Sequence, residues 1–398
     1  LKIKGQMMEQ TKERAMPEWG ESQRAGEHEA SATSDVAAPL RVLIIAPSHD
    51  ILGGQSIHAA QLLKEFGKEP SLRVGFLPIN PRAPGVLRHL QRIKYARTVV
   101  TSLIYLVKLL TQIPRYDVIH VSSAAYTGFI LSTMPPVFLA KLFGKIVVLN
   151  YHAGQAVEHL RDWRRTAIPT IRRADAVVVS SGWLVDVFAR HGLKARAIFN
   201  HVDLDDFHFR ERRPLRPAFL SNRNFDPIYN VPCVLRAFAL IQKRFAEASL
   251  TVVGDGAQRA ELEQLARDLK LCNVSFTGRI RPEEMPALCD RADIYLNASN
   301  VDNMPLSILE AFAAGLAVVT SNAGGIPYVV QHEKTGLLVE MDDHQGMAAA
   351  AIRLLEDEEL AARLTRNARA ECGRYKWDVM RESWLEFYRE VAERERSS

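Results

Sequence analysis

Cysteine is scarce: the 398 residues hold four, Cys233, Cys272, Cys289 and Cys372. No two have CxxC or metal-ligand spacing, so zinc ribbons, CxxC redox motifs and a disulfide framework drop out. The thiols are expected to be reduced and mostly buried. A long uncharged apolar run is also missing. In VLRHLQRIKYARTVVTSLIYLVKLL (86–110), basic residues come early and Lys108 interrupts the apolar end, which argues against a transmembrane span. That stretch reads either as a helix lying on an anionic membrane or as a core-packed helix with a solvated basic face. TGFILSTMPPVFLAKLF (127–143) reads as a buried crossover helix. No secretory signal is visible in residues 1–39, which are polar and read as a disordered tail. Acid is sparse in one half only. Residues 41–200 carry 21 Lys and Arg against 8 Asp and Glu, whereas residues 201–398 carry 25 against 31. A basic first half points to anionic partners: phosphorylated metabolites, an anionic membrane surface or nucleic acid. With no nucleic-acid recognition motif in the chain, nucleic acid is not expected as a partner.

What is present is an alternation of strand, turn and helix. LRVLIIAP (40–47), RVGFLPI (73–79), YDVIHVSS (116–123), KIVVLNYH (145–152), DAVVVSS (175–181) and RAIFNHVD (196–203) read as strands with helical stretches between them. A charged, proline-bearing segment, 203–217, reads as an inter-domain linker. The alternation then restarts with RPAFLSNR (216–223), SLTVVGDG (249–256), NVSFTGR (273–279), ADIYLNAS (292–299), LAVVTSN (316–322) and TGLLVEM (335–341). Two doubly wound α/β halves are expected, over 40–203 and 204–374, followed by a terminal helix over 375–398.

The stretch VDNMPLSILEAFAAGLAVVTSNAGGIPYVV (301–330) carries the most chemistry. Proline is tolerated in a helix's first turn and disfavoured further in, so a helix should start near Pro305. Asp302 and Asn303 then sit in the loop before it, with Glu310 in its second turn. The open N–H groups and positive dipole end suit a phosphate. The segment follows a predicted strand, so it lies at the carboxyl edge of a sheet, where ligands of such folds bind. A phosphate cradle flanked by two acids fits a sugar nucleotide. A capped structural helix is the competing reading.

D-N-M-P-L-S-I-L-E-A-F-A-A-G resembles the E-x7-E signature of retaining GT-B glycosyltransferases, specifically the family 4 group. The resemblance runs from Leu40 onward. It takes in APSHDILGGQSIHAA, VVLNYHAG, LSNRN, VVGDG, FTGR and AGGIP, each at its matching place. It implies two Rossmann-like domains facing across a cleft, with the terminal helix crossing back to the first. It further implies retaining transfer of a sugar from a UDP- or GDP-sugar to a glycan, lipid-linked or small-molecule acceptor, without a metal or other cofactor. The setting it implies is cytoplasmic; peripheral contact with an anionic membrane through 86–110 is a separate expectation that comes from that stretch's own residues.

The resemblance also assigns roles. Gly53 and Gly54 would let backbone approach the donor phosphates, and His152 would face the donor sugar. Arg223 would hold the diphosphate, Ile280 would lie at the base, and Glu310 would bind the ribose hydroxyls. Asp302, with the backbone of Asn303, Met304, Pro305 and Leu306, would grip the sugar hydroxyls. Gly254, in VVGDG, is a further candidate for the nucleotide.

Three features depart from simple patterns. The first acid is Asp where the family more often has Glu. The family's R-x4-K clamp is incomplete, because Ile228 stands where the lysine belongs, followed by Tyr229 and Asn230. VVGDGAQR has Arg259 in place of the third glycine of G-x-G-x-x-G and no ribose-binding acid downstream, so a dinucleotide site is rejected. His58 is a candidate to face an acceptor, weighed evenly against packing. His152 alone would more often be structural, and Gly324–Gly325 reads as a structural turn. The competing functions are a GT-B phosphorylase or UDP-sugar epimerase, and a non-catalytic sugar-nucleotide-binding member.

Overall fold

The structure is a computed structural model that describes residues 38–48, 54–83 and 93–396. The expected tail falls almost wholly outside them, as do Gly53 and residues 84–92. The first sheet is built from β1 (Leu40–Ala46), β2 (Leu72–Pro78), β3 (Val118–Ser123), β4 (Ile146–Tyr151), β5 (Ala176–Val179) and β6 (Arg196–Ala197). All pairs are parallel, in the order β2-β1-β3-β4-β5-β6. Its helices are α1 (Gly54–Phe66), α2 (Lys94–Gln112), α3 (Met134–Leu142), α4 (Ala156–Asp162), α5 (Arg164–Ile171) and α6 (Gly182–Arg190).

The second sheet holds β7 (Ala218–Asn222), β8 (Ser249–Val253), β9 (Val274–Gly278), β10 (Ile294–Asn297), β11 (Ala317–Ser321) and β12 (Leu337–Val339). Its order is β12-β11-β10-β7-β8-β9, again all parallel. Around it lie α7 (Val231–Arg244), α8 (Arg259–Asp268), α9 (Met285–Arg291), α10 (Leu306–Ala314), α11 (His344–Glu356) and α12 (Glu358–Glu371). The chain ends in α13 (Trp377–Arg396).

The strands are almost continuously apolar because both faces of each sheet are covered. Side chains alternate between the two layers. Leu43 and Ile45 enter one core with Ile119, Val121, Val147 and Leu149, while Val42 and Ile44 enter the other with Val118 and Val148. That second layer is closed by α13, which buries Met380, Trp384, Phe387, Tyr388 and Val391 against the first sheet. At about 2 kcal/mol for each large apolar side chain, this contact is worth roughly 10 kcal/mol of transfer free energy. Arg196 adds ion pairs to Glu386 and Glu390, each 2.9 Å. The terminal helix therefore does cross back to the first lobe.

Three expectations from the sequence change. RAIFNHVD yields only the two paired residues Arg196–Ala197, because Phe199, His201 and Val202 turn into the junction between the lobes instead. The charged segment 203–217 is not a loose tether. Leu204, Phe207 and Leu215 sit in the cores of the second lobe, and three arginines close on one buried acid. Asp293, 1% exposed, takes Arg210 at 3.0 Å, Arg212 at 3.2 Å and Arg216 at 2.7 Å, with the Arg212 side chain itself 0% exposed. The stretch 127–143 is helical but only half buried. Ser132, Thr133, Val137 and Ala140 face inward, whereas Ile130, Leu131, Phe138, Leu142 and Phe143 are exposed. Cys233, Cys289 and Cys372 are buried thiols, Cys272 is an exposed one, and none is paired.

Candidate active site

The strand order decides where the site lies. In the second sheet β7 neighbours β10, and the chain winds away from that pair in both directions. Such a reversal opens a crevice at the strands' carboxyl ends. Arg223 follows β7 and Asp302 lies beyond β10, so the crevice brings together residues 79 positions apart. Arg223 Nη2 donates to Asp302 Oδ2 in a close ion pair. Its Nη1 donates to Ser307 Oγ at 3.3 Å, and its guanidinium lies over the Tyr229 ring, 4.3 Å from the centroid. Arg223 Nε is buried without a partner. Burial works against its charge, but Asp302 outweighs it and holds the guanidinium firmly protonated.

The position expected for a lysine is thus filled by an aromatic turn. Pro227–Tyr229 forms a 3-10 turn and Asn230 takes a left-handed conformation, φ 47°. Ile228 O accepts from Asn300 N at 2.8 Å, so this turn braces the loop that carries Asp302. Stacking on Tyr229 fixes Arg223 while leaving its edge free to hydrogen-bond.

The helix α10 begins as the sequence predicts, with Pro305 as its N-cap and no side chain capping it. Its first N–H groups therefore face the same crevice as Arg223. Glu310 lies in the second turn, half-buried, and makes no hydrogen bond among the described residues. Desolvation pushes its carboxyl up to about 7, although the charge of Arg223 pulls the other way. Burying a carboxylate without a partner is unfavourable, and an acid in this state is a candidate ligand group.

Asn303, Met304 and Pro305 are buried and Leu306 is half-buried. The Asn303 side chain is already committed. Its Nδ2 donates to Ser180 Oγ at 2.7 Å and its Oδ1 accepts from Ser181 Oγ. Ser181 also caps α6, accepting from Leu184 N at 3.2 Å. Tyr328 OH donates to Asp186 at 2.7 Å, a further bond between the lobes. Part of the 303–306 backbone is committed too, since Asn303 N donates to Asp302 Oδ1 at 3.0 Å and Met304 O accepts from Asn200 Nδ2 at 3.4 Å. Gly324 and Gly325 are structural, as read. A Cβ on Gly324 would sit 2.1 Å from the Asp302 carbonyl oxygen, and one on Gly325 2.0 Å from that of Asn303.

Gly254 also has a structural reason to be glycine: its φ is +143°, and a Cβ would lie 2.1 Å from the Arg223 carbonyl oxygen. Ile280 packs partly buried on the second lobe's core beside the Arg279–Asp255 pair, 3.5 Å. The structure brings Arg223, Asp302, Glu310 and the α10 N-terminus together. Nothing in it joins Ile280 to that cluster directly.

Across the cleft, His152 follows β4, and a Cβ on Gly154, two residues on, would lie 3.4 Å from Val301 in the loop before α10. His152 Nε2 is buried without a partner, and burial lowers the ring to about 4, so it is neutral at pH 7. His58, on α1, packs edge-on to it with centroids 4.8 Å apart. His58 is buried with both ring nitrogens unpaired, and its pKa is driven well down by burial first and by His152 next. It packs against His152 more than it faces solvent. Gly54 opens α1. Among the described residues no cluster of His, Cys, Asp or Glu has the arrangement of a metal site.

Ser307, Tyr229 and the cross-cleft use of Asn303 were not legible in the sequence. Ser307 had one available signal, a hydroxyl in the first turn of the helix after Pro305.

Residues 205–371 match the family described as glycosyl transferases group 1. The match takes in most of the second lobe, which is a domain of this family. It is 30% identical over 212 residues to N-acetyl-alpha-D-glucosaminyl L-malate synthase of Bacillus anthracis, covering 50% of this chain and 55% of that protein. It is 30% identical over 183 residues to the GDP-mannose-dependent alpha-(1-6)-phosphatidylinositol monomannoside mannosyltransferase of Mycobacterium tuberculosis, 44% of this chain and 48% of that one. The matches thus span about half the length of these curated relatives. Among solved structures, HepE of Anabaena in complex with UDP-glucose superposes with a TM-score of 0.72 at 19% identity, covering 88% of this chain and 100% of the other. That likeness establishes the shared GT-B architecture of the chain.

Proposed function

We propose that this protein is a retaining glycosyltransferase that takes a sugar from a UDP- or GDP-sugar and passes it to a glycan, lipid-linked or small-molecule hydroxyl. The observation that carries the reading is the convergence of Arg223, Asp302 and the uncapped N-terminus of α10 at the switch point, with Glu310 one turn deeper. A cation and open N–H groups suit a diphosphate, and two acids suit sugar and ribose hydroxyls. UDP-glucose in HepE and GDP-mannose in the mycobacterial relative's name agree with that donor class.

In this reading the anomeric C–O bond to the diphosphate breaks while Arg223 and the α10 amides stabilise the charge that develops on the leaving oxygen. The acceptor oxygen bonds to the anomeric carbon on the same face, and its proton passes to the departing diphosphate. His152, neutral at working pH, presents a hydrogen-bonding ring to the sugar rather than a charge. Glu310 binds ribose. Asp302 must exchange its partner Arg223 for sugar hydroxyls when the diphosphate arrives. No protein carboxylate needs to act as a nucleophile, in contrast to retaining glycosidases. Closure of the lobes excludes water and limits donor hydrolysis.

The test is a thermal-shift and hydrolysis screen of wild type, Arg223→Ala and Glu310→Ala across UDP-, GDP- and ADP-sugars without added metal. One sugar nucleotide should stabilise the wild type and release diphosphate slowly, with both effects lost in the variants. Stabilisation with no turnover across a broad acceptor panel would instead mark a binding protein. Phosphate-dependent release of a sugar phosphate would mark a phosphorylase.

A further inference from the structure

Most side chains of this protein obey a simple rule: apolar ones are covered. The exceptions are not scattered. Of the 15 large apolar side chains exposed among the described residues, 11 fall between Ile93 and Phe143. On α2, Val99, Leu103, Leu106, Val107 and Leu110 are exposed, three of them by 59–60%. Their spacing of four, three, one and three places them along one side of the helix. Tyr105 and Leu109, which are buried, hold the adjoining face to the sheet, with Tyr105 OH donating to Ser132 O at 2.9 Å. The neighbouring stretch adds Ile130, Leu131, Phe138, Leu142 and Phe143 beside it, Leu142 being 77% exposed. A contiguous apolar surface of this kind normally has an occupant.

Charge identifies the occupant. Between Glu69 and Glu158 the sequence has ten Lys and Arg and a single acid, Asp117. Asp117 is already held by Arg41 at 2.6 Å, and Asp175, beside Arg173, is held by Lys141 at 2.7 Å. Arg97 and Arg115 are exposed at the two ends of the α2 stripe, and Arg173 lies over the Phe138 ring at 4.6 Å from its centroid. An apolar stripe with a basic rim and almost no acid matches an anionic bilayer: acyl chains receive the Leu and Val side chains, and headgroups meet the arginines.

We infer that α2 and the adjoining 130–143 segment form a membrane-docking face that lies in the headgroup region of an anionic bilayer. The helix is of spanning length, Ala96–Arg115, but it does not span. Crossing the bilayer would require stripping Tyr105, Leu109 and Ile113 from the core they fill. Both helices run antiparallel to the strands, so Ile93, Ile130 and Leu131 lie near the sheet's carboxyl edge, the edge that bears His152. The face would therefore present the cleft mouth toward the lipid surface. The inference rests on surface composition and stands apart from the catalytic reading.

The experiment is co-sedimentation of the full chain with vesicles of pure phosphatidylcholine and of phosphatidylcholine with equal phosphatidylglycerol, at low and high salt. It compares wild type with Leu103→Glu/Val107→Glu and Arg97→Glu/Arg173→Glu, whose side chains are exposed. Circular dichroism confirms that each is folded, and gel filtration gives its oligomeric state. Wild type should pellet with the anionic vesicles, and both variants should bind at least about ten-fold more weakly. Wild type remaining in the supernatant overturns the inference. So does undiminished binding of the Leu103→Glu/Val107→Glu variant, since the apolar stripe would then be idle. A wild-type dimer that the same variant turns into a monomer also overturns it, because a second copy of the chain would then cover the face.

Discussion

The two lobes share an architecture but load opposite chemistry onto the edges that face each other. The first lobe's edge carries neutral, buried histidines: His58 against His152, with His201 nearby, 6.4 Å from His58. The second lobe's edge carries full charges, with Arg223, Asp302 and Glu310 around the mouth of α10. Their outer faces differ as well. The first is basic with an uncovered apolar side, and the second is mildly acidic and closed by its own helices. Strand order underlies part of this. The second sheet reverses direction between β7 and β10, so two loops from distant sequence meet there, while the first reverses between β1 and β3. One fold therefore supplies two kinds of edge, one charged and the other neutral.

The sharpest break in this comparison should come from the charge the second lobe buries completely. Asp293→Ala leaves Arg212 buried without its counter-ion, and should cost about 3–5 kcal/mol in urea unfolding. The first lobe has no comparable buried ion pair among the described residues. Next is Arg223→Ala, which should lower transfer about 10²–10³-fold while leaving the fold intact, read by steady-state kinetics with the donor found in the screen. His152→Ala should have a smaller effect if the histidine edge acts without charge.

The pH responses of the two edges should run in opposite directions. His152 and His201 sit near 4 and His120 near 3, all below the ordinary 6.5, mainly because they are desolvated. The unfolded chain then takes up protons first, so stability present above pH 6.5 is lost as pH falls toward 4. These three histidines together should make unfolding at pH 5 easier than at pH 7.5 by up to about 6 kcal/mol, and His201→Leu should reduce the difference by about a third. Glu310 is the mirror case, an acid raised from 4.5 to about 7 by desolvation. Its protonated form is favoured by folding, so stability declines as pH rises from 4.5 through 7. Glu310→Gln should raise stability by up to about 3 kcal/mol at pH 8 and change nothing at pH 4.5. An acid that weakens its own fold is the expected cost of a ligand group kept ready.

The smallest effect concerns the seam. Ser181→Ala removes both the cap of α6 and the bond to Asn303, and should cost about 1 kcal/mol. Asn303→Ala should cost a similar amount and loosen the cleft, seen as faster hydrogen exchange in residues 301–305. If neither variant shifts exchange there, the lobes are held by α13 and not by these polar contacts.

Much of this was legible in the sequence by itself. The short continuous apolar runs, the restart of the strand–helix alternation after residue 217 and the apolar face of residues 377–396 specify two doubly wound lobes and a returning helix. Pro305 placed the start of α10, and with it the positions of Asp302 before the helix and Glu310 inside it. These features are local: a proline's fixed φ, a short apolar run and a helix's repeat act within a few residues of chain. What only the tertiary structure decided was which groups meet. Ser307 beside Arg223, Asn303 bonded to Ser180 and Ser181, and three arginines around Asp293 all join segments that are far apart in sequence, and even the near pair of Tyr229 under Arg223 depends on the turn between them. The same holds for the uncovered side of α2. Its leucines and valines are the kind that fill cores, and only the packing of the sheet behind it, which takes Tyr105 and Leu109 inward, leaves Leu103 and Val107 facing out. Local chemistry set the elements, and the sum of long-range contacts, invisible along one strand of sequence, chose their partners.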